Sequence, residues 1–177
     1  MRILIAEDEA DIATPYKIAL EKRHHEVVVT ESGDDCLDAY HEALKNTKSG
    51  SKVYFDVVVL DYRIPGKDGV EVAKEILSIN PEQRIILASA YVKDSVATAA
   101  KELKRIVEVL QKPFALNILV DIIEDKQIHE ELERLNAKVH NITDIDPTNK
   151  QMLDIFEELR KIQKCDVWYA VAGNVLA

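Results

Sequence analysis

Along residues 1–125, short apolar runs alternate with longer amphipathic stretches. The runs Ile3–Ala6, Val27–Thr30, Asp56–Leu60, Ile85–Ala88 and Ile106–Leu110 are β-branched or aliphatic, and they predict buried strands. Between them, Asp11–Lys22, Asp34–Leu44, Val70–Ile79 and Ser95–Leu103 place apolar residues at helical spacing, and another helix opens near Leu116, after Pro113. Pro15 falls inside the first of these, as an early-turn proline or a kink, and leaves that helix start open. Lys45–Lys52 is polar with Gly50 and two serines, the composition of an exposed loop. Strands alternating with helices predict an α/β fold: a doubly wound parallel sheet of five strands, with helices on both faces and a site at the carboxyl ends of the strands.

The pattern changes after Asp125. Ile128, Leu132, Leu135, Val139 and Ile142 recur at alternating intervals of four and three, an a/d seam. Asp146-Pro147 suits a helix cap and first turn, and a second amphipathic helix follows over Thr148–Lys164 with Met152, Ile155, Phe156, Leu159 and Ile162 apolar. The chain closes on the apolar run Val167-Trp168-Tyr169-Ala170-Val171. We therefore expect two parts, residues 1–125 and a C-terminal helical extension over residues 126–177. In the simplest reading the helix that opens near Leu116 continues through the seam. Two short helices cannot bury both apolar faces alone, so they need the first part or another copy of the chain.

Four features fall at strand ends. Glu7-Asp8-Glu9 directly follows the first strand; clustered carboxylates repel one another and suit a hard divalent cation, but they also suit a solvated turn opening a helix. Asp61 ends the most apolar run, Phe55–Leu60, where it could act as a nucleophile toward a phosphoryl group or cap the turn Tyr62–Gly69. Ser89 ends the fourth strand, as a donor to a phosphoryl oxygen or a plain turn residue. Lys112-Pro113 follows the fifth strand; a cis Pro113 would aim the lysine across the strand ends.

The four occur in order, each at a different strand end. The segments IAEDE, VVVLDYRIPGKDG, ILASA and LQKPF resemble the receiver domain of two-component response regulators, of the chemotaxis type with a flavodoxin-like fold, over residues 1 to about 125. The resemblance implies the strand order 2-1-3-4-5. It implies that Asp61 accepts a phosphoryl group from a histidine kinase or phosphotransfer protein, and that Ser89 and Lys112 bind the phosphoryl oxygens. Glu7, Asp8, Asp61 and the backbone carbonyl of Arg63 would hold Mg²⁺. It further implies a cytoplasmic phosphoprotein that is not a turnover enzyme. The pattern departs from the family in two places. Many members carry an aromatic three residues before the lysine, where this chain has Val109, and Tyr91 is the nearest aromatic that could take its part. The small pair before the fifth strand is replaced by Lys104-Arg105.

Composition narrows the function further. The 177 residues carry a net charge of −9, and neither part is basic, which disfavours broad binding to nucleic acid or an anionic membrane. No apolar run approaches a membrane span. Cys36 and Cys165 cannot form a disulfide framework, and His24-His25 reads as a turn. No Ser-His-Asp set, Gly-rich phosphate loop or His-based metal spacing points to another chemistry. Two readings of the output stay open: protein–protein contact or homodimerisation through residues 126–177, with Trp168 and Tyr169 as interface anchors, or a transcription regulator binding DNA through the C-terminal helices.

Overall fold

The computed structural model describes residues 1–46, 54–90, 99, 102–142, 149–162, 167–171 and 174–176. Tyr91, Cys165, Asp146-Pro147, most of the expected loop Lys45–Lys52 and most of the expected helix Ser95–Leu103 lie outside the described residues. The described elements are β1 (Arg2–Ala6), α1 (Ala10–Glu21), β2 (Glu26–Thr30), α2 (Gly33–Lys45), β3 (Val57–Asp61), α3 (Gly69–Ile79), β4 (Arg84–Ser89) and β5 (Val107–Gln111). They are followed by α4 (Leu116–Glu124), α5 (Lys126–His140), α6 (Lys150–Ile162), β6 (Val167–Val171) and β7 (Asn174–Leu176).

β1 to β5 form a parallel sheet in the expected order 2-1-3-4-5. The central strands β1, β3 and β4 are buried on both faces, whereas the edge strand β2 is half exposed, matching the near-continuous apolar runs of the inner strands. α1 runs through Pro15, its sixth residue. One core gathers Ile3, Ile5, Tyr16, Leu119 and Ile123; the other gathers Leu4, Tyr40, Val58, Ile76 and Val109.

The C-terminal part departs from expectation in two ways. First, the helix does not run on into the seam. Asp125 takes an extended backbone (φ −75°, ψ 90°), and its carboxylate accepts the Ile128 N–H at 2.9 Å. A carboxylate that can satisfy an orphan N–H favours a fresh helix start over a continued helix, so α4 ends and α5 begins there. Second, the extension is not all helical. Val167–Val171 pairs antiparallel with β5, and β7 pairs antiparallel with β6, so the sheet has seven strands among the described residues rather than five. The run of valines and aromatics carries strand propensity, and the free edge of β5 offers it hydrogen bonds.

The seam packs inside the chain. Leu132, Leu135 and Val139 of α5 and Met152, Ile155, Phe156 and Leu159 of α6 belong to the same buried cluster as Ile3 and Ile5 of β1 and Leu119 of α4. Tyr169 is buried in that cluster, and Trp168, half-buried, packs against the opposite one. Arg105 explains one departure from the family pattern. Its guanidinium donates to the Pro81 carbonyl at 2.7 Å and to Glu133 of α5 at 3.4 Å, while Asn136 of α5 accepts the Ile106 N–H at 2.8 Å. Lys104, before it, adopts φ 51°. Arg105 and Asn136 together fasten α5 to the start of β5.

An exposed cluster ties the two C-terminal helices. Lys138 donates to Glu158 at 2.7 Å, and Arg134 bonds both Glu131 and Glu158. Lys138 and Arg134 push the Glu158 carboxyl down to about 2. A lowered folded value means stabilisation that is present above the ordinary carboxylate range and lost as pH falls from about 4.5 toward 2. We expect urea midpoints of the parent chain and Glu158→Gln to converge as pH falls through that window. The gap above it stays small, because the partners are solvent-screened.

Candidate functional site

The carboxyl ends of β1, β3, β4 and β5 bring together most of the residues the sequence singled out. Glu7 directly follows β1, and its N–H donates to the Thr30 carbonyl at 3.0 Å, extending the β1–β2 ladder by one bond. Its side chain is buried, with 2% exposed, whereas Asp8 faces solvent and Asp61 is half-buried at the end of β3. One carboxylate oxygen from each of Glu7, Asp8 and Asp61 lies within 4.8 Å of the others.

Lys112 reaches this cluster from the end of β5. Its Nζ lies 2.5 Å from Glu7 Oε2 and 2.7 Å from Asp61 Oδ2. Its backbone N–H donates to the Ser89 carbonyl at 2.9 Å, locking the ends of β4 and β5 together. The Lys112–Pro113 peptide is cis. Burial works to lower the Lys112 pKa, but the bonds to Asp61 and Glu7 outweigh it, so the ammonium stands above the ordinary lysine value and stays charged. Burial pushes the Glu7 carboxyl up, Lys112 pulls it back, and the neighbouring Asp61 adds to the rise.

The loop after Asp61 is built by capping. The Arg63 N–H donates to Asp61 Oδ1 at 3.2 Å. Asp68 caps α3 in a reciprocal box with Glu71, and the Gly69 N–H returns to the Tyr62 carbonyl at 3.1 Å. A Cβ on Gly69 would sit 2.3 Å from the Asp61 carbonyl oxygen, so only glycine lets the helix start this close to the acid. Gly66 turns the loop at φ 77°. Ser89 is buried at the end of β4, one position past Ala88, the β-partner of Asp61. Arg63 is exposed.

One site neighbour was not singled out from sequence. Tyr16 of α1 stacks on Phe114, ring centroids 5.3 Å apart, beneath the Lys112–Pro113 turn. Burial raises the Tyr16 hydroxyl, and the charges of Glu7, Asp61 and Glu9 raise it further, placing that hydroxyl in the field of the acidic cluster. The apolar spacing of α1 marks Tyr16 as a core residue, but only the fold brings it beside a residue almost a hundred positions away.

The chain matches the response regulator receiver domain over residues 3–124. It belongs to the response regulator receiver family. Among curated relatives it is 27% identical over 140 residues to the transcriptional regulatory protein ZraR of Escherichia coli, covering 79% of this chain and 27% of that protein. It is 30% identical over 121 residues to a response regulator receiver protein of Anaeromyxobacter, covering 68% of this chain and 46% of that protein. The chain thus spans less than half the length of these relatives. Among solved structures, the response regulator TrrA of Thermotoga maritima in complex with Mg²⁺ and BeF superposes with a TM-score of 0.55 at 28% identity, covering 70% of this chain and 96% of that one. The receiver is a module of a two-component system, and its acidic cluster is a candidate cation site. Among the described residues, no helix is long and apolar enough to cross a membrane.

Proposed function

We propose that this receiver is a phosphorylation switch in which Asp61 takes a phosphoryl group from the phosphohistidine of a histidine kinase or phosphotransfer protein. An Asp61 oxygen forms the new bond to phosphorus while the donor's P–N bond breaks. The observation that carries this reading is the placement of Lys112 Nζ against both Asp61 and Glu7, at the mouth of a three-carboxylate cluster. Phosphoryl transfer is mostly positioning and charge neutralisation, and a fixed ammonium beside the acceptor supplies part of both.

The cluster fits Mg²⁺. Three acids converge, and Glu7 Oε1 is buried with no hydrogen-bond partner among the described residues, an orphaned acceptor of the kind a hard cation satisfies. Glu7, Asp8, Asp61 and the Arg63 carbonyl would hold the ion. When bound, it neutralises the oxygens of the transferring group. Ser89 and Lys112 would receive the phosphoryl oxygens, the first by a hydroxyl donor and the second by its charge. The reading makes the protein a cytoplasmic phosphoprotein whose only chemistry occurs on its own aspartate. Output runs through protein–protein contact; a homodimer through residues 126–177 would have to use surfaces other than the apolar seam, which is buried within the chain.

Intact mass after incubation with acetyl phosphate tests this. The expected result is one phosphoryl adduct that requires Mg²⁺, does not form when EDTA is present from the start, and is missing in Asp61→Asn. An equal adduct on Asp61→Asn would overturn the assignment.

A further inference from the structure

The strand that leads directly into Lys112 is also the strand to which the C-terminal hairpin is bonded. β5 pairs with β6 at four positions, Val107 with Ala170, Glu108 with Tyr169, Val109 with Trp168 and Leu110 with Val167. At the far end of β5, Gln111 pairs with Ser89 and Lys112 donates to the Ser89 carbonyl. An unbroken backbone ladder therefore runs from the acidic cluster to the last two strands.

The two faces of β6 are held differently. On one face Val167 and Tyr169 are almost wholly buried, at 3% and 1% exposed. Tyr169 lies opposite Glu108, whose carboxylate is itself pinned by Arg84 at 2.9 and 3.0 Å. That face is held by burial and by the Arg84–Glu108 pair. On the other face Trp168 is half-buried, directly opposite the fully buried Val109, and packs against the cluster that holds Val107, Val109 and Leu103. Residues opposite one another in an antiparallel pair project from the same face, so a shift of Val109 is felt by the indole.

We propose that the hairpin β6–β7 is the output element of this receiver, sensing the state of the Asp61 site through β5, with Trp168 as the side chain whose packing changes. The proposal rests on the phosphorylation reading for the natural stimulus. A phosphoryl group on Asp61 brings new anionic oxygens beside Lys112, and the ammonium exchanges its bond to Asp61 for bonds to those oxygens. The end of β5 follows its lysine. Because Tyr169 and Val167 anchor one face, the displacement is taken up on the Trp168 face.

The chain has a single tryptophan, so its emission reports this one position. The experiment compares the full chain, Lys112→Met, Asp61→Asn, and the full chain carrying the Mg²⁺-dependent acetyl phosphate adduct, with adduct measured by mass in the same samples and folding checked by circular dichroism. Lys112→Met removes the Lys112–Asp61 bond and Asp61→Asn strips it of its ionic partner, and each is expected to shift the emission maximum or intensity away from the parent. The adducted chain is expected to shift in proportion to the adduct. Emission that stays at the parent value in both folded variants, or that stays constant in a fully adducted sample, would overturn the proposal. The two variants decide the coupling even where no adduct forms, so failure of the switch and failure of the coupling are read separately.

Discussion

A chain cut after Asp125 is expected to lose most of its stability and to self-associate. The boundary suggested by sequence runs through the middle of one core. Leu132, Leu135, Val139, Ile142, Met152, Ile155, Phe156, Leu159, Val167 and Tyr169 lie in the same buried cluster as Ile3, Ile5, Ile106, Leu110, Leu119 and Ile123. Burying one large aliphatic or aromatic side chain contributes roughly 1.5–3 kcal/mol, and a whole domain is stable by only about 5–15 kcal/mol. Removing ten such side chains leaves their partners in water and reopens the edge of β5, a template for association. The shorter substitution Leu135→Ala, at a fully buried position, is expected to cost about 2–5 kcal/mol. Urea unfolding and sedimentation of the two chains check this. A monomeric 1–125 fragment with nearly the parent midpoint would show that the extension is an appendage.

Arg84→Ala is expected to destabilise the chain by about 3–5 kcal/mol, the range for stripping one partner from a buried ion pair. Arg84 and Glu108 are each at most 5% exposed and face each other at the start of β4 and along β5, joined by two hydrogen bonds. The guanidinium also donates to the Ile122 and Ile123 carbonyls at 2.9 and 3.1 Å, satisfying the last turn of α4. Burial works against the charged guanidinium, but Glu108 outweighs it and holds its pKa above the ordinary value. Alanine leaves a buried carboxylate and the Ile123 carbonyl without this donor, while the Ile122 carbonyl keeps only the Asp125 N–H at 3.3 Å. The paired change Arg84→Met with Glu108→Leu is expected to recover much of the loss, since apolar replacement of both charges removes the desolvation cost. Chemical denaturation of the single and double variants measures both effects. Equal midpoints for parent and Arg84→Ala would contradict the account.

The five parallel strands were legible because buried parallel strands leave continuous apolar runs, as in Val57–Leu60, and four of those runs end on a residue with chemistry; their order came from the resemblance to receiver domains. The same logic gathered Glu7, Asp8, Asp61 and Lys112, whose convergence the structure shows. Three features were not read. The break at Asp125 depends on a single side chain choosing to cap, a competition that periodicity does not see. Val167–Val171 has strand composition, but its partner is the edge of β5, sixty residues earlier, so a local reading leaves it as an apolar tail. Arg105 looked like the loss of a small residue, and became intelligible only once α5 was found against it. The contacts of the extension are long-range, and the extension is where the sequence reading stopped.

The central claim is that Asp61 itself carries the phosphoryl group. Borohydride reduction converts an aspartyl phosphate to homoserine, and peptide mapping then reads the modified position directly. After treatment with acetyl phosphate and Mg²⁺, the account predicts homoserine at residue 61 and at no other acid, Glu7, Asp8 and Glu9 included. Homoserine at Asp8, or an adduct that resists borohydride and maps to Ser89, would contradict it.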